Sequence, residues 1–153
     1  MLIDNIRFLR QQRDYDCLIA CCKMVLDYLG IHKNDRWLRR RLADGEVTPF
    51  PNIVRLTRAL GLVTVTAKWG QPATFAPYIE SGLPVIVAVD TDYADLWPYV
   101  PNHAVVIVGF DDDVVYVNDP QLDEPLFAVD IDTFMLAWSH RDYQYAVIQL
   151  AEQ

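Results

Sequence analysis

The stretch QQRDYDCLIACCKMVLDYLG, residues 11–30, puts Cys17, Cys21 and Cys22 in one segment. From Cys17 to Tyr28 it is apolar almost all the way round, with Lys23 and Asp27 as its only charges. That pattern belongs to a helix buried at the centre of a domain. Asp16 stands where an N-cap belongs, and Gly30 is a good stop. Cys17 then falls in the first turn, where unpaired N–H groups and the macrodipole favour a thiolate. Cys21 and Cys22 lie inside the helix and read as small apolar filler. A nucleophilic Cys17 needs a base, a group to orient that base and an oxyanion donor from the rest of the chain.

The whole chain sets the bounds. Its 153 residues read as one domain able to bury a core without staples, and 52% apolar with 22% charged residues is an ordinary globular composition. A net charge of −8 argues against nucleic-acid binding, which needs a basic face, and would attract a basic partner. Arg36, Arg39, Arg40 and Arg41 around Trp37 read as a solvated helix face. Three crowded cysteines make no disulfide framework and imply a reducing, cytoplasmic setting. No Cys and His layout suits zinc, so neither metal nor cofactor is expected. No run is long enough for a signal peptide or a membrane span.

The rhythm changes midway. Helices are expected at the opening stretch, at KNDRWLRRRLAD and at PNIVRLTRALG, the last opened by Pro51 and closed by Gly61. Strands follow at LVTVTAKW and PVIVAVD, with the helix PATFAPYIESG between them. HAVVIVGF and VVYVNDP flank Asp111, Asp112 and Asp113 and read as a hairpin. DIDTFMLAWSH reads as a helix and YQYAVIQL as a last strand. The fold class is therefore α+β: a helical lobe over about residues 15–61, packed on an antiparallel sheet lobe over about 62–153, with a cleft between them. The loop DTDYADLWPYVPN carries Tyr93, Trp97 and Tyr99, and is aromatic enough either to line a binding site or to pack on the sheet.

Three histidines are candidates for the base. His32 reads as a surface residue, and His140 ends a helix, where a cation is favoured structurally. His103 opens HAVVIVGF, while Asp119 ends the return strand, sixteen positions on. With the turn at Asp111 to Asp113, the two lie within a residue or two of direct opposition. Opposed Cβ atoms in a ladder are roughly 5 Å apart, close enough for a carboxylate to hold an imidazole N–H. A His satisfied by backbone or water is the competing reading. Gln11 and Gln12 both lie upstream of Cys17 and could return toward the helix mouth as the side-chain amide of an oxyanion hole. Nucleophile, base, orienter and oxyanion donor are then all available.

The opening motif resembles that of the double-glycine leader peptidases, papain-like cysteine peptidase domains of bacteriocin-exporting transporters with stand-alone bacterial relatives. The resemblance rests on Gln11 six positions before Cys17, on Asp16, and on the apolar helix ending in DYLG. The distal HAVVIVGFDDDVVYVNDP and the FMLAWS segment match as well, so it spans nearly the whole chain. It implies a papain-like fold with Cys17 as nucleophile, His103 as general base and acid, Asp119 as orienter and Gln11, rather than Gln12, as oxyanion donor. It also implies a peptide or protein substrate and hydrolysis through a thioester. The family has glycine after the nucleophile where this chain has Leu18. Leu18 with Tyr93, Trp97 and Tyr99 is expected to make a narrow, partly apolar approach that selects small residues before the scissile bond. A deamidase, transglutaminase-like or acyltransferase chemistry on the same thioester, or a peptide-binding module without catalysis, are the alternatives.

Overall fold

A computed structural model gives the fold and describes residues 1–92, 97, 98 and 100–151. Three helices come first: α1 (Cys17–Tyr28), α2 (Asp35–Leu42) and α3 (Ile53–Ala59). They are followed by β1 (Val63–Ala67), α4 (Pro72–Glu80), β2 (Val85–Val89), β3 (His103–Phe110), β4 (Val114–Asn118), β5 (Phe127–Asp130), α5 (Ile131–Ser139) and β6 (Tyr145–Gln149). The strands form one antiparallel sheet in the order β1-β6-β2-β3-β4-β5.

This is the expected α+β arrangement, with helices on both faces of the sheet. Alternation along each strand divides the core in two. Ile86, Ala88, Ala104, Val106 and Val108 pack under α1. Val85, Val87, Val105, Ile107, Val115 and Val117 pack with Phe75 of α4 and Phe134 and Trp138 of α5. Both faces of β2 and β3 are thus covered, which explains their almost unbroken apolar runs. Phe75, Phe134 and Trp138 meet at 5.5–6.1 Å between ring centroids, the range of edge and tilted aromatic pairs.

Several boundaries differ from the sequence reading. The third helix begins with a 3₁₀ turn at Phe50–Asn52, with Pro51 in the first turn, where its missing N–H costs nothing. β5 was not expected; it pairs with β4 and extends the sheet by one strand. Asp16 occupies the N-cap position of α1, yet its side chain makes no capping bond. Its carboxylate takes Arg39 Nη2 at 2.7 Å, a stronger partner than a backbone N–H. The arginine group is accordingly more than a solvated face, since Arg39 ties α2 to the mouth of α1 and Arg41 lies 3.7 Å from the Trp37 ring centroid.

The chain before α1 is held to the sheet at both ends. Met1 and Ile3 bond to Phe110 and Val108 of β3. A Cβ at Gly109 would meet Leu2 and Met1 at 2.4–2.5 Å, so only glycine admits this approach. At the other end the Gln11 N–H donates to Pro120 O at 2.9 Å. Gln11 is thereby pinned beside the end of β4.

Candidate active site

α1 brings Cys17 to the sheet, where the residue is 7% exposed. Cys21 and Cys22 are fully buried one turn deeper, as their apolar surroundings dictate, and Cys21 Sγ donates to Ala104 O. Burial pushes both of these thiols up, assisted by the nearby Cys17. Neither can supply a thiolate near neutral pH.

His103 and Asp119 come together as the hairpin geometry predicts. Val106 is paired with Asn118, so His103 lies two residues beyond direct opposition to Asp119, on the same face. His103 Nε2 stands 2.6 Å from Asp119 Oδ1, with both side chains almost fully buried. Three further hydrogen bonds fix the carboxylate and its surroundings. Trp97 Nε1 donates to Asp119 Oδ2 at 2.8 Å, the Gln121 N–H donates to Oδ1 at 2.9 Å, and the Leu122 N–H donates to the Asp119 carbonyl. Burial alone would raise Asp119, but the hydrogen bond and charge of His103, then Trp97 and Gln121, hold it below its usual range. Burial likewise pulls His103 down, and the hydrogen bond and charge of Asp119, together with the neighbouring Cys17, outweigh it, raising His103 to about 9.

With Nε2–H given to Asp119, Nδ1 is the ring nitrogen left for chemistry. It is buried and has no hydrogen-bond partner. The Cys17 thiol is directed weakly at Asn102 O, at 4.0 Å, while remaining close enough to act on the imidazole. Two residues beside it, Tyr15 and Asn102, hold left-handed backbone at φ 70° and 50°. Local strain of this kind persists where surrounding structure enforces it.

Two cavities of about 270 and 300 Å³ share Tyr15, Cys17, Pro101, Asn102 and His103 on their walls. The first continues over Leu18, Phe50 and Ala104 to Arg141. The second runs to Gln11 and Gln121. Gln11 Nε2 donates to Arg13 O at 3.0 Å, leaving one amide proton, and its Oε1 is buried without a partner. Gln12 is exposed.

The remaining expected residues divide. Leu18 is 1% exposed, so it forms cavity wall from within the core. Trp97 is a correction: it lines neither cavity at Cys17, but is buried against Phe127 with its indole on Asp119. The indole N–H takes the carboxylate oxygen that His103 and Gln121 leave open. Tyr93 and Tyr99 lie outside the described residues. His32 is exposed beside Asp27, and His140 caps the C-terminus of α5. Arg141 was missed, since a lone arginine after a helix carries no signal in the sequence. Among the described residues no cluster of three or more His, Cys, Asp or Glu could hold a metal ion. Among the same residues no helix is long and apolar enough to cross a membrane.

A cysteine, a histidine and an aspartate thus meet, buried, where α1 packs on the antiparallel sheet. A model of the Peptidase_C39-like family matches residues 3–146, and the chain belongs to that family. Among solved structures, a Bacillus anthracis protein described as a C39-like peptidase is 18% identical. It aligns over 99% of this chain and 98% of its own, with a TM-score of 0.81. The peptidase domain of Streptococcus ComA, a bifunctional ABC transporter of a quorum-sensing pathway, is 19% identical over 96% of this chain and 100% of its own, with a TM-score of 0.76. A double-glycine-motif protease from an AMS/PCAT transporter, solved with its leader peptide, is 17% identical over 96% and 93%, with a TM-score of 0.73. No curated protein matches the sequence.

Proposed function

We propose that this protein is a cysteine peptidase with Cys17 as nucleophile, His103 as its acid–base partner, Asp119 as the group that orients His103, and Gln11 as oxyanion donor. The observation that carries this reading is the 2.6 Å bond between His103 Nε2 and Asp119 Oδ1, which leaves a buried, unpartnered Nδ1 beside the Cys17 thiol. Asp119 and Cys17 raise His103 to about 9, so its resting form at neutral pH is the imidazolium, a form able to supply the proton that the leaving amine needs. The thiolate attacks the peptide carbonyl, and the oxyanion is met by the free Gln11 amide proton and by backbone N–H at the start of α1. The C–N bond breaks as His103 gives its proton to the leaving amine. Neutral His103 then takes a proton from water, whose oxygen attacks the thioester and releases the acid and the thiol.

The cavities on either side of Cys17 support an extended peptide crossing the thiol, and the leader-peptide complex of a structural neighbour supports leader processing as the substrate class. With Cys17 buried and Leu18 in the cavity wall beside it, small residues before the scissile bond fit the approach best. Three free cysteines support a reducing, cytoplasmic setting. Incubation with peptides carrying glycine, alanine or bulky residues before a candidate bond, followed by mass spectrometry, tests the reading. Cleavage lost in Cys17→Ala and His103→Ala is expected. Conversion of glutamine to glutamate without cleavage would assign a deamidase instead.

A further inference from the structure

Arg141 lines the same cavity as Cys17 and follows α5 in a tightly held turn. Its N–H donates to Trp138 O, its carbonyl accepts from Gln144 Nε2, and Trp138 Nε1 donates to Gln144 O. Asp142 and Tyr143 beyond it hold left-handed backbone, at φ 57° and 52°. The guanidinium has a neutral partner, as Nη1 donates to Asn102 Oδ1. Its Nε is buried with no partner. Among the described residues, no carboxylate forms an ion pair with it, although the chain has 21 acidic residues. Among the described residues, the cavity wall that contains Arg141 and the thiol includes no Asp or Glu.

Placing an arginine there has a physical cost that the described residues offset only in part. A partly buried guanidinium loses hydration, and a neutral amide restores only part of it. The group that would complete the arrangement is a planar anion, since the guanidinium fork binds carboxylates in pairs of parallel hydrogen bonds. Asn102 would act as a brace, because the same residue directs its carbonyl at Cys17 and its side chain at Arg141.

We infer that Arg141 is a specificity-determining residue that binds a carboxylate of the peptide substrate, either an acidic side chain near the scissile bond or a free C-terminus. The inference rests on the peptidase reading of Cys17 for its biological meaning, but the cation beside the thiol can be tested without hydrolysis. Iodoacetate and iodoacetamide alkylate the same thiol and differ in one carboxylate. The ratio of their rates at Cys17 cancels any change in the thiol's own reactivity. In Arg141→Gln this ratio should fall by about fivefold or more, and Arg141→Lys should retain most of it, as expected for a charge-assisted contact near the reacting atom. A ratio unchanged in Arg141→Gln overturns the inference.

The wild-type protein supplies a second measurement that needs no variant to fold. Acetylated peptides with glutamate or with glutamine, each ending in a carboxylate or a carboxamide, are compared as protectants of Cys17 against iodoacetamide. Stronger protection by the glutamate pair assigns an acidic side chain, and stronger protection by the free acids assigns a C-terminus. Equal protection by all four overturns the proposal. Failure of Cys17 to react with either reagent would count against its role as nucleophile, a result distinct from an unchanged ratio.

Discussion

The Trp97 indole N–H donates to Asp119 Oδ2 at 2.8 Å, on the oxygen that His103 leaves open. Asp119 follows directly on the last residue of β4, and its Oδ1 already accepts from His103 and from the Gln121 N–H. The donor to Oδ2 comes from the loop between β2 and β3, where Trp97 packs on Phe127 with ring centroids 5.8 Å apart. Trp97 acts through Asp119 on the orientation of His103, so it is a positioning residue.

Trp97→Phe keeps most of the packing and removes the donor. It should slow alkylation of Cys17 by roughly tenfold, and destabilise the protein by about 1–3 kcal/mol through an unsatisfied buried acceptor. Alkylation kinetics across pH, beside urea unfolding, separate the two effects. A stability loss with an unaltered pH–rate profile would reduce Trp97 to a packing role.

Thiol selectivity follows from depth. Cys21 and Cys22 are fully buried with raised pKa values, whereas Cys17 opens onto two cavities. Iodoacetamide at neutral pH should modify Cys17 faster than the others by on the order of a hundredfold. Peptide mapping reads this directly, and early labelling of Cys21 or Cys22 would contradict it.

The raised His103 pKa carries a sign for stability. The folded value of about 9 lies above the ordinary value, about 6.5, so pairing stabilises the fold fully below about pH 6.5. That contribution is lost as pH rises through about 9. The gap in urea midpoint between wild type and His103→Ala should shrink across this window. A gap that grows with pH would mean that His103 is neutral in the folded protein.

Gln11 and Gln12 are adjacent but differ in environment, one walling the cavity at Cys17 and the other exposed. Gln11→Ala should lower turnover by roughly a hundredfold, the usual effect of losing one oxyanion donor, with a small change in KM. Gln12→Ala should be near wild type. The reverse pattern in steady-state kinetics would move the oxyanion site.

Asp16 is 8% exposed at its side chain and depends on Arg39. Arg39→Ala leaves that carboxylate unpaired at the mouth of α1 and should cost about 2–3 kcal/mol, below the range for a fully buried pair because Arg39 is partly solvated. Thermal unfolding measures it. A loss under about 0.5 kcal/mol would show that water replaces the arginine.

Periodicity and spacing alone determined much of this protein. An apolar helix beginning at Cys17, strands buried on both faces, and a hairpin whose arithmetic opposes His103 to Asp119 are local patterns, and local patterns are written in residue order. Tertiary structure decided what depends on partners distant in the chain. Asp16 sits where a cap belongs, but Arg39, packed beside it by α2, draws its carboxylate away. Trp97 looked suited to a binding loop, but a buried carboxylate from another strand claimed its indole. Arg141 carried no signal at all until the turn after α5 placed it on the wall beside the thiol. Hydrogen bonds and ion pairs go to the strongest available neighbour, and only the folded chain determines which neighbours are available.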